Sequence, residues 1–187
     1  MPISVMLKPA SSNCNLACEY CFYHSLSSKR TDFSKGFMSD DTAKRVVDSA
    51  LEFADSTDVY FTFQGGEPLL CSLDFYKNFV SYVKKSNKKG SNVHYCLQTN
   101  ATLINDEFAL FFKENGFLIG VSLDGDKEVN KYRIYPNGKS SFDDILKGID
   151  ILLKAWKQMG EEALKLVVCG TGPMEKWCKE FVKSNKL

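Results

Sequence analysis

The 187-residue sequence has no surplus charge of either sign: 24 lysines and arginines stand against 23 aspartates and glutamates. So small an imbalance creates no field able to draw the chain to nucleic acid or to an anionic membrane surface. No apolar run approaches the length that crosses a bilayer. The opening MPISVMLKPA lacks the basic start, the long apolar stretch and the small-residue cleavage site of a secretory signal, so a cytoplasmic location is expected. Short-period repeats and low-complexity tracts are missing as well. The remainder, 44% apolar and 25% charged, is enough to bury the core of one domain.

Short runs rich in β-branched and aromatic residues alternate with longer amphipathic stretches, with Gly, Asn, Asp or Pro between them. Strands are expected at residues 4–7, 59–63, 94–97, 118–123 and 164–169. Helices are expected from Ser39, a plausible N-cap, to residue 55, and over residues 73–85, 105–115, 142–157 and 174–183, with Gly116 stopping the third. Strands alternating with helices of this length pair in parallel through right-handed crossovers, which predicts an α/β fold with a curved or partly closed parallel sheet. In such folds ligands sit at the carboxyl ends of the strands. The residues with chemical potential fall there: the cysteine loop, Gly65-Gly66-Glu67-Pro68, Gln98-Thr99-Asn100 and Ser122-Leu123-Asp124-Gly125.

Seven cysteines are an odd number, and in a reducing compartment they stay thiols, so a tight cluster of them suggests metal binding. Cys14, Cys18 and Cys21 lie within eight residues, close enough for one loop to wrap one inorganic centre. Three thiolates on a four-iron cluster leave one iron open to a further ligand. A closed Cys3His zinc site completed by His24 is the competing reading of the same residues. Cys71, Cys96, Cys169 and Cys178 are scattered and read as buried free thiols.

The spacing Cys14-x3-Cys18-x2-Cys21, with Tyr20 before and Phe22 after the last cysteine, resembles the signature of the radical S-adenosylmethionine (SAM) superfamily. The resemblance implies a partial (βα) barrel of the radical SAM type, about five βα units with a parallel sheet, holding a 4Fe-4S cluster on Cys14, Cys18 and Cys21. It implies SAM on the open iron, cleaved by an electron from the cluster to give a hydrogen-abstracting radical. Residues matching the family's SAM contacts are Tyr20, Gly65, Gly66, Glu67, Asn100, Ser122 and Arg133. Leu7-Lys8-Pro9-Ala10-Ser11-Ser12, Cys21-Phe22-Tyr23-His24-Ser25-Leu26-Ser27 and Phe63-Gln64-Gly65-Gly66-Glu67-Pro68 are similar to the anaerobic sulfatase-maturating enzymes in particular. That similarity implies oxidation of a Cys or Ser of a sulfatase to formylglycine, with a sulfatase polypeptide as substrate and a flavodoxin or ferredoxin as electron donor. Tyr23 and Gln64 would then face the substrate. A radical SAM enzyme that forms thioether crosslinks in peptides, and a non-catalytic metal-binding fragment, are the alternatives.

The likeness covers residues 1–146, expected as the cluster- and SAM-binding core. Family members continue into a cysteine-rich region with two further clusters, whereas here no C-x2-C pair follows Cys21, and Cys169 and Cys178 cannot supply eight ligands. Residues 147–187 are expected to form an atypical αβα tail that completes or extends the sheet. The stretches around Lys147–Trp156 and Leu166–Pro173 look like part of a retaining glycosyltransferase, although one helix and one strand cannot build a nucleotide site alone.

Overall fold

The structure, a computed structural model, describes residues 1–157. Four strands, β1 (Ile3–Leu7), β2 (Val59–Phe63), β3 (Val93–Thr99) and β4 (Phe117–Val121), form one parallel sheet in the order β1-β2-β3-β4. Helices α1 (Phe22–Ser27), α2 (Asp40–Ala54), α3 (Leu73–Ser86), α4 (Asp106–Glu114) and α5 (Phe142–Lys157) connect or follow them. This is the α/β architecture expected of alternating strands and amphipathic helices. The expected fifth strand at 164–169, the last helix at 174–183, Cys169 and Cys178 lie outside the described residues.

Each helix begins where its cap residue allows. Ser39 accepts the Thr42 N–H and opens α2, whose first turn carries Asp40 and Asp41 on the favourable end of the helix dipole. Asn105 accepts the Phe108 N–H and opens α4. Helix α1 was not expected in what reads as a long polar loop. It begins because the sulfur of Cys21 accepts the His24 N–H, a capping role outside the usual Ser, Thr, Asp and Asn set.

One face of the sheet is dry. Phe61, Phe63, Phe79, Tyr76, Tyr95, Phe112 and Phe117 stack edge-to-face or in parallel beneath α2, α3 and α4, an arrangement that aromatic quadrupoles favour. By register the other face carries Met6, Thr62, Cys96 and Leu118 in one row, with Tyr60 and His94 stacked 4.5 Å apart in another. Met6 and Leu118 on this face are exposed. Cys71 is buried, which pushes its thiol up to about 11, and Cys96 is half-buried; none of the described cysteines is disulfide-bonded.

Helix α5 runs across residue 146 without a break, so the expected domain division falls inside it. Leu152 is buried in the core, and Ile151, Ala155 and Trp156 pack against it. The helix docks through Gly148, where an added Cβ would lie 2.1 Å from the Ala101 carbonyl oxygen. Gly148→Ala must therefore lift α5 off the Ala101 turn. We expect a loss of about 1–3 kcal/mol, the usual range for overpacking, read as a lower thermal midpoint. An unchanged midpoint would show that the helix tolerates the shift.

Candidate metal centre and cofactor site

The loop from Lys8 to Cys21 leaves the carboxyl end of β1 and is clasped by the loops that follow the other three strands. From the β2 loop, the Gly66 N–H donates to the Ser11 carbonyl (3.0 Å) and the Glu67 N–H to the Asn13 carbonyl (2.8 Å). Gly65 sits at φ +118, a backbone conformation that favours glycine. At Gly66 the reason for glycine is space: a Cβ there would meet the Asn13 carbonyl oxygen at 2.0 Å. The two glycines thus make room for the cysteine loop itself.

Glu67 points inward and is 1% exposed. Its carboxylate accepts from Leu69 N–H (3.0 Å), Thr99 Oγ1 (2.7 Å) and Asn100 N–H (2.8 Å), which ties the β2 loop to the β3 loop. Burial raises its pKa above the ordinary carboxylate range, against the pull of those three donors. In the β3 loop, Asn100 donates from Nδ2 to Asn15 Oδ1 (2.9 Å) and lies 3.8 Å from the Cys14 sulfur. Its Oδ1 accepts from Thr102, and Asn15 Nδ2 donates to Thr102 Oγ1 (2.8 Å). Gln98 donates to Ser122 Oγ (2.8 Å), its amide filling the space that a Cβ on Gly120 would take.

Beyond β4, Arg133 forms a two-pronged ion pair with Asp124, Nε to Oδ2 at 2.9 Å and an Nη to Oδ1 at 3.1 Å. The guanidinium lies 5.5 Å over the Tyr20 ring, and the Tyr20 hydroxyl donates to Asp124. Burial followed by that hydrogen bond moves the Tyr20 phenol upward. Backbone bonds from Ala17 N–H to the Ile134 carbonyl (2.7 Å) and from Glu19 N–H to the Tyr132 carbonyl (3.1 Å) fix the rest of the loop. Tyr23 donates to Gln64 Oε1 at a long 3.4 Å, with the Lys8 ammonium 4.6 Å over the Tyr23 ring.

The structure therefore brings Tyr20, Gly65, Gly66, Glu67, Asn100 and Arg133 onto or against the cysteine loop. Ser122 is joined to that assembly by its N–H to the Thr99 carbonyl (2.9 Å). Sequence reasoning did not foresee that Asn15, Thr99, Thr102 and Asp124 would hold the site. Asp124 had a signal, since it stands in the Ser122–Gly125 motif; Asn15 and Thr102 had none.

The donor set can be compared with the two metal readings. A tetrahedral zinc ion, with bonds of about 2.3 Å, needs its sulfurs about 3.8 Å apart. Among the described residues, no three His, Cys, Asp or Glu side chains gather for one ion. His24 instead packs edge-on against Phe33, with ring centroids 5.7 Å apart. Three thiols on one loop are the donor set of a cluster that offers each thiolate its own iron. Burial leads the influences raising the Cys14 and Cys18 thiols, Cys14 to about 11, so ligation must displace their protons.

The family model described as the Radical SAM superfamily matches residues 9–183, and the chain belongs to that superfamily. Within it, the chain is similar to anaerobic sulfatase-maturating enzymes. A cysteine-type anaerobic sulfatase-maturating enzyme of Clostridium novyi (strain NT) is 48% identical over 151 residues, 80% of this chain and 40% of the relative. A serine-type counterpart of Bacteroides thetaiotaomicron is 40% identical over 154 residues, 82% of this chain and 37% of the relative. A solved structure described as native anSMEcpe with bound AdoMet and Kp18Cys peptide superposes with a TM-score of 0.76 at 38% identity, covering 83% of this chain and 41% of that one. The chain spans about 40% of the length of these sulfatase-maturating relatives. Among the described residues no helix is long and apolar enough to cross a membrane.

Proposed function

We propose that the chain binds a 4Fe-4S cluster through Cys14, Cys18 and Cys21 and SAM beside it, for the oxidation of a Cys or Ser in a sulfatase polypeptide to formylglycine. The observation that carries this reading is the clasped loop: three thiols held at the carboxyl end of a parallel sheet by the loops of β2, β3 and β4. Bound together, cluster and SAM supply one-electron chemistry for hydrogen abstraction. The electron donor in this reading is a reduced flavodoxin or ferredoxin.

This chain's residues orient and shield. Gly65 and Gly66 let the cysteine loop seat against the β2 loop, which would bring backbone groups of both beside a zwitterionic amino acid. Arg133, its Nε and one Nη held by Asp124 and its plane over the Tyr20 ring, would offer its remaining N–H groups to a carboxylate. Ser122 and Asn100 supply polar groups at the ends of β4 and β3 for the same ligand. Tyr23 and Gln64, joined by the 3.4 Å bond from the Tyr23 hydroxyl to Gln64 Oε1, are the side chains that would meet the peptide. The 1–146 core with a tail from 147 remains part of this proposal as its division of labour.

Anaerobic reconstitution with iron and sulfide tests the reading. The expected product is a brown protein with about four irons that releases 5'-deoxyadenosine from SAM when reduced. Cys14→Ala, Cys18→Ala and Cys21→Ala are each expected to lose the cluster, and a full complement of iron in any of them would overturn the ligand assignment. A sulfatase peptide bearing Cys or Ser, assayed by mass spectrometry, separates formylglycine formation from thioether crosslinking.

A further inference from the structure

We infer that Asn100 is a positioning residue which donates an N–H···S hydrogen bond to Cys14 and thereby sets the reduction potential of a cluster held there, with Thr102 locking its amide in that orientation. The inference rests on the cluster assignment made above and adds a role for a residue otherwise read as a SAM contact.

The two ends of an asparagine amide are alike in shape, so its orientation has to be deduced from its neighbours. One end of Asn100 faces the Thr102 backbone N–H at 3.0 Å, and a backbone N–H can only donate. That end is therefore the oxygen, and the opposite end, facing Asn15 Oδ1 at 2.9 Å and the Cys14 sulfur at 3.8 Å, is the NH2 group. The Thr102 hydroxyl spends its single proton on Asn100 Oδ1 (2.7 Å) and accepts from Asn15 Nδ2 (2.8 Å). Asn15, Asn100 and Thr102 thus close a ring of side-chain hydrogen bonds. Asn100 is only 6% exposed, so water competes little for the amide, and its backbone N–H is held separately by Glu67.

The three cluster thiols are not treated alike. Cys21 accepts the His24 N–H and Cys14 the Leu16 N–H, both at 3.4 Å and both from backbone. Among the described residues, Cys14 alone also faces a side-chain donor. Hydrogen bonds to the ligating sulfurs raise an iron-sulfur potential because they stabilise the more negative reduced state. Asn100 is placed to do this at one corner, and its donor can be removed without disturbing the backbone.

The test uses the whole chain, reconstituted anaerobically as wild type, Asn100→Asp and Thr102→Val, with EPR-monitored redox titration, iron analysis and thermal melting of the apo form. Asn100→Asp keeps the side-chain shape but turns an acceptor toward the sulfur, and Thr102→Val keeps its shape but unlocks the amide. Both midpoint potentials are expected to move negative, Asn100→Asp further, at wild-type iron content. Loss of iron with an unchanged apo melting temperature equally supports the role, since Cys14 is then no longer held. Wild-type potentials in both variants with iron retained would overturn it. A wild-type chain that takes up no cluster would overturn the functional reading itself, a result distinct from variants that load and titrate like the wild type.

Discussion

Gly66→Ala is expected to abolish cluster incorporation while leaving the sheet folded. The added methyl carbon would lie 2.0 Å from the Asn13 carbonyl oxygen, 2.6 Å from its carbon and 2.9 Å from the Ser12 carbonyl carbon, all backbone atoms that no rotamer change can move aside. The loop between Ser11 and Cys14 has to retreat by more than an ångström. In doing so it gives up the bonds from Gly66 N–H to Ser11 and from Glu67 N–H to Asn13, which start the run of anchors leading to the three thiols. The aromatic core lies beneath the helices and does not touch this contact, so secondary structure should survive. Iron analysis after reconstitution, set beside circular dichroism, reads the two effects separately. Gly138→Ala is the comparison: that glycine sits at φ +80 with nothing within 4 Å of an added Cβ, and strain alone should leave iron uptake intact. A Gly66→Ala protein carrying about four irons would show that the clasp is not what holds the loop.

Glu67→Ala is expected to destabilise the fold itself. Its carboxylate is the common acceptor for three buried donors on two loops, and truncation leaves at least the Leu69 and Asn100 N–H groups unpaired. At about 1–3 kcal/mol for each orphaned group, the two together cost about 2–6 kcal/mol. Against a domain stability of about 5–15 kcal/mol that is a large fraction, and urea unfolding will measure it. Glu67→Gln should cost less, because its oxygen can serve two donors while its NH2 group faces the third. The glutamine also removes a pH dependence. A carboxyl whose folded pKa is raised contributes stability that is complete below the unfolded value and is lost as pH rises through the folded one. That decline should be present in the wild type and absent in Glu67→Gln. Equal unfolding midpoints for Glu67→Ala and the wild type would sink the argument.

The strand cores were legible because period-two alternation survives in short buried strands, and Val59–Phe63 was placed to the residue. The third strand runs on through Gln98 and Thr99, polar residues that read as loop but pair with Gly120 and Val121. The fourth stops at Val121 instead of 123 because Asp124 is taken by Arg133 and its own N–H by Asn130. Helix α1 was illegible because a cysteine caps it. At the site, the cysteine spacing singled out Cys14, Cys18 and Cys21 as the candidate ligands. The inward turn of Glu67 and the Asn15–Asn100–Thr102 ring were not readable, since each depends on residues more than thirty or eighty positions apart being brought side by side. Arg133 stands in the sequence only as a match to a SAM contact, and its pairing with Asp124 emerges only when the 3-10 turn Val129–Tyr132 folds it back.

The parallel register carries a further consequence. Leu7 stands opposite Phe63, Phe63 opposite Leu97, and Thr99 opposite Val121, so the β1 and β2 loops leave the sheet level with each other and the β3 and β4 loops leave together two residues further on. A slip of one residue between any two strands would displace one gripping loop by about 3.3 Å and turn its side chains to the opposite face. The sheet thus works as a ruler for the metal site, and the colour of the reconstituted protein becomes a gauge of whether all four strands have been laid in step.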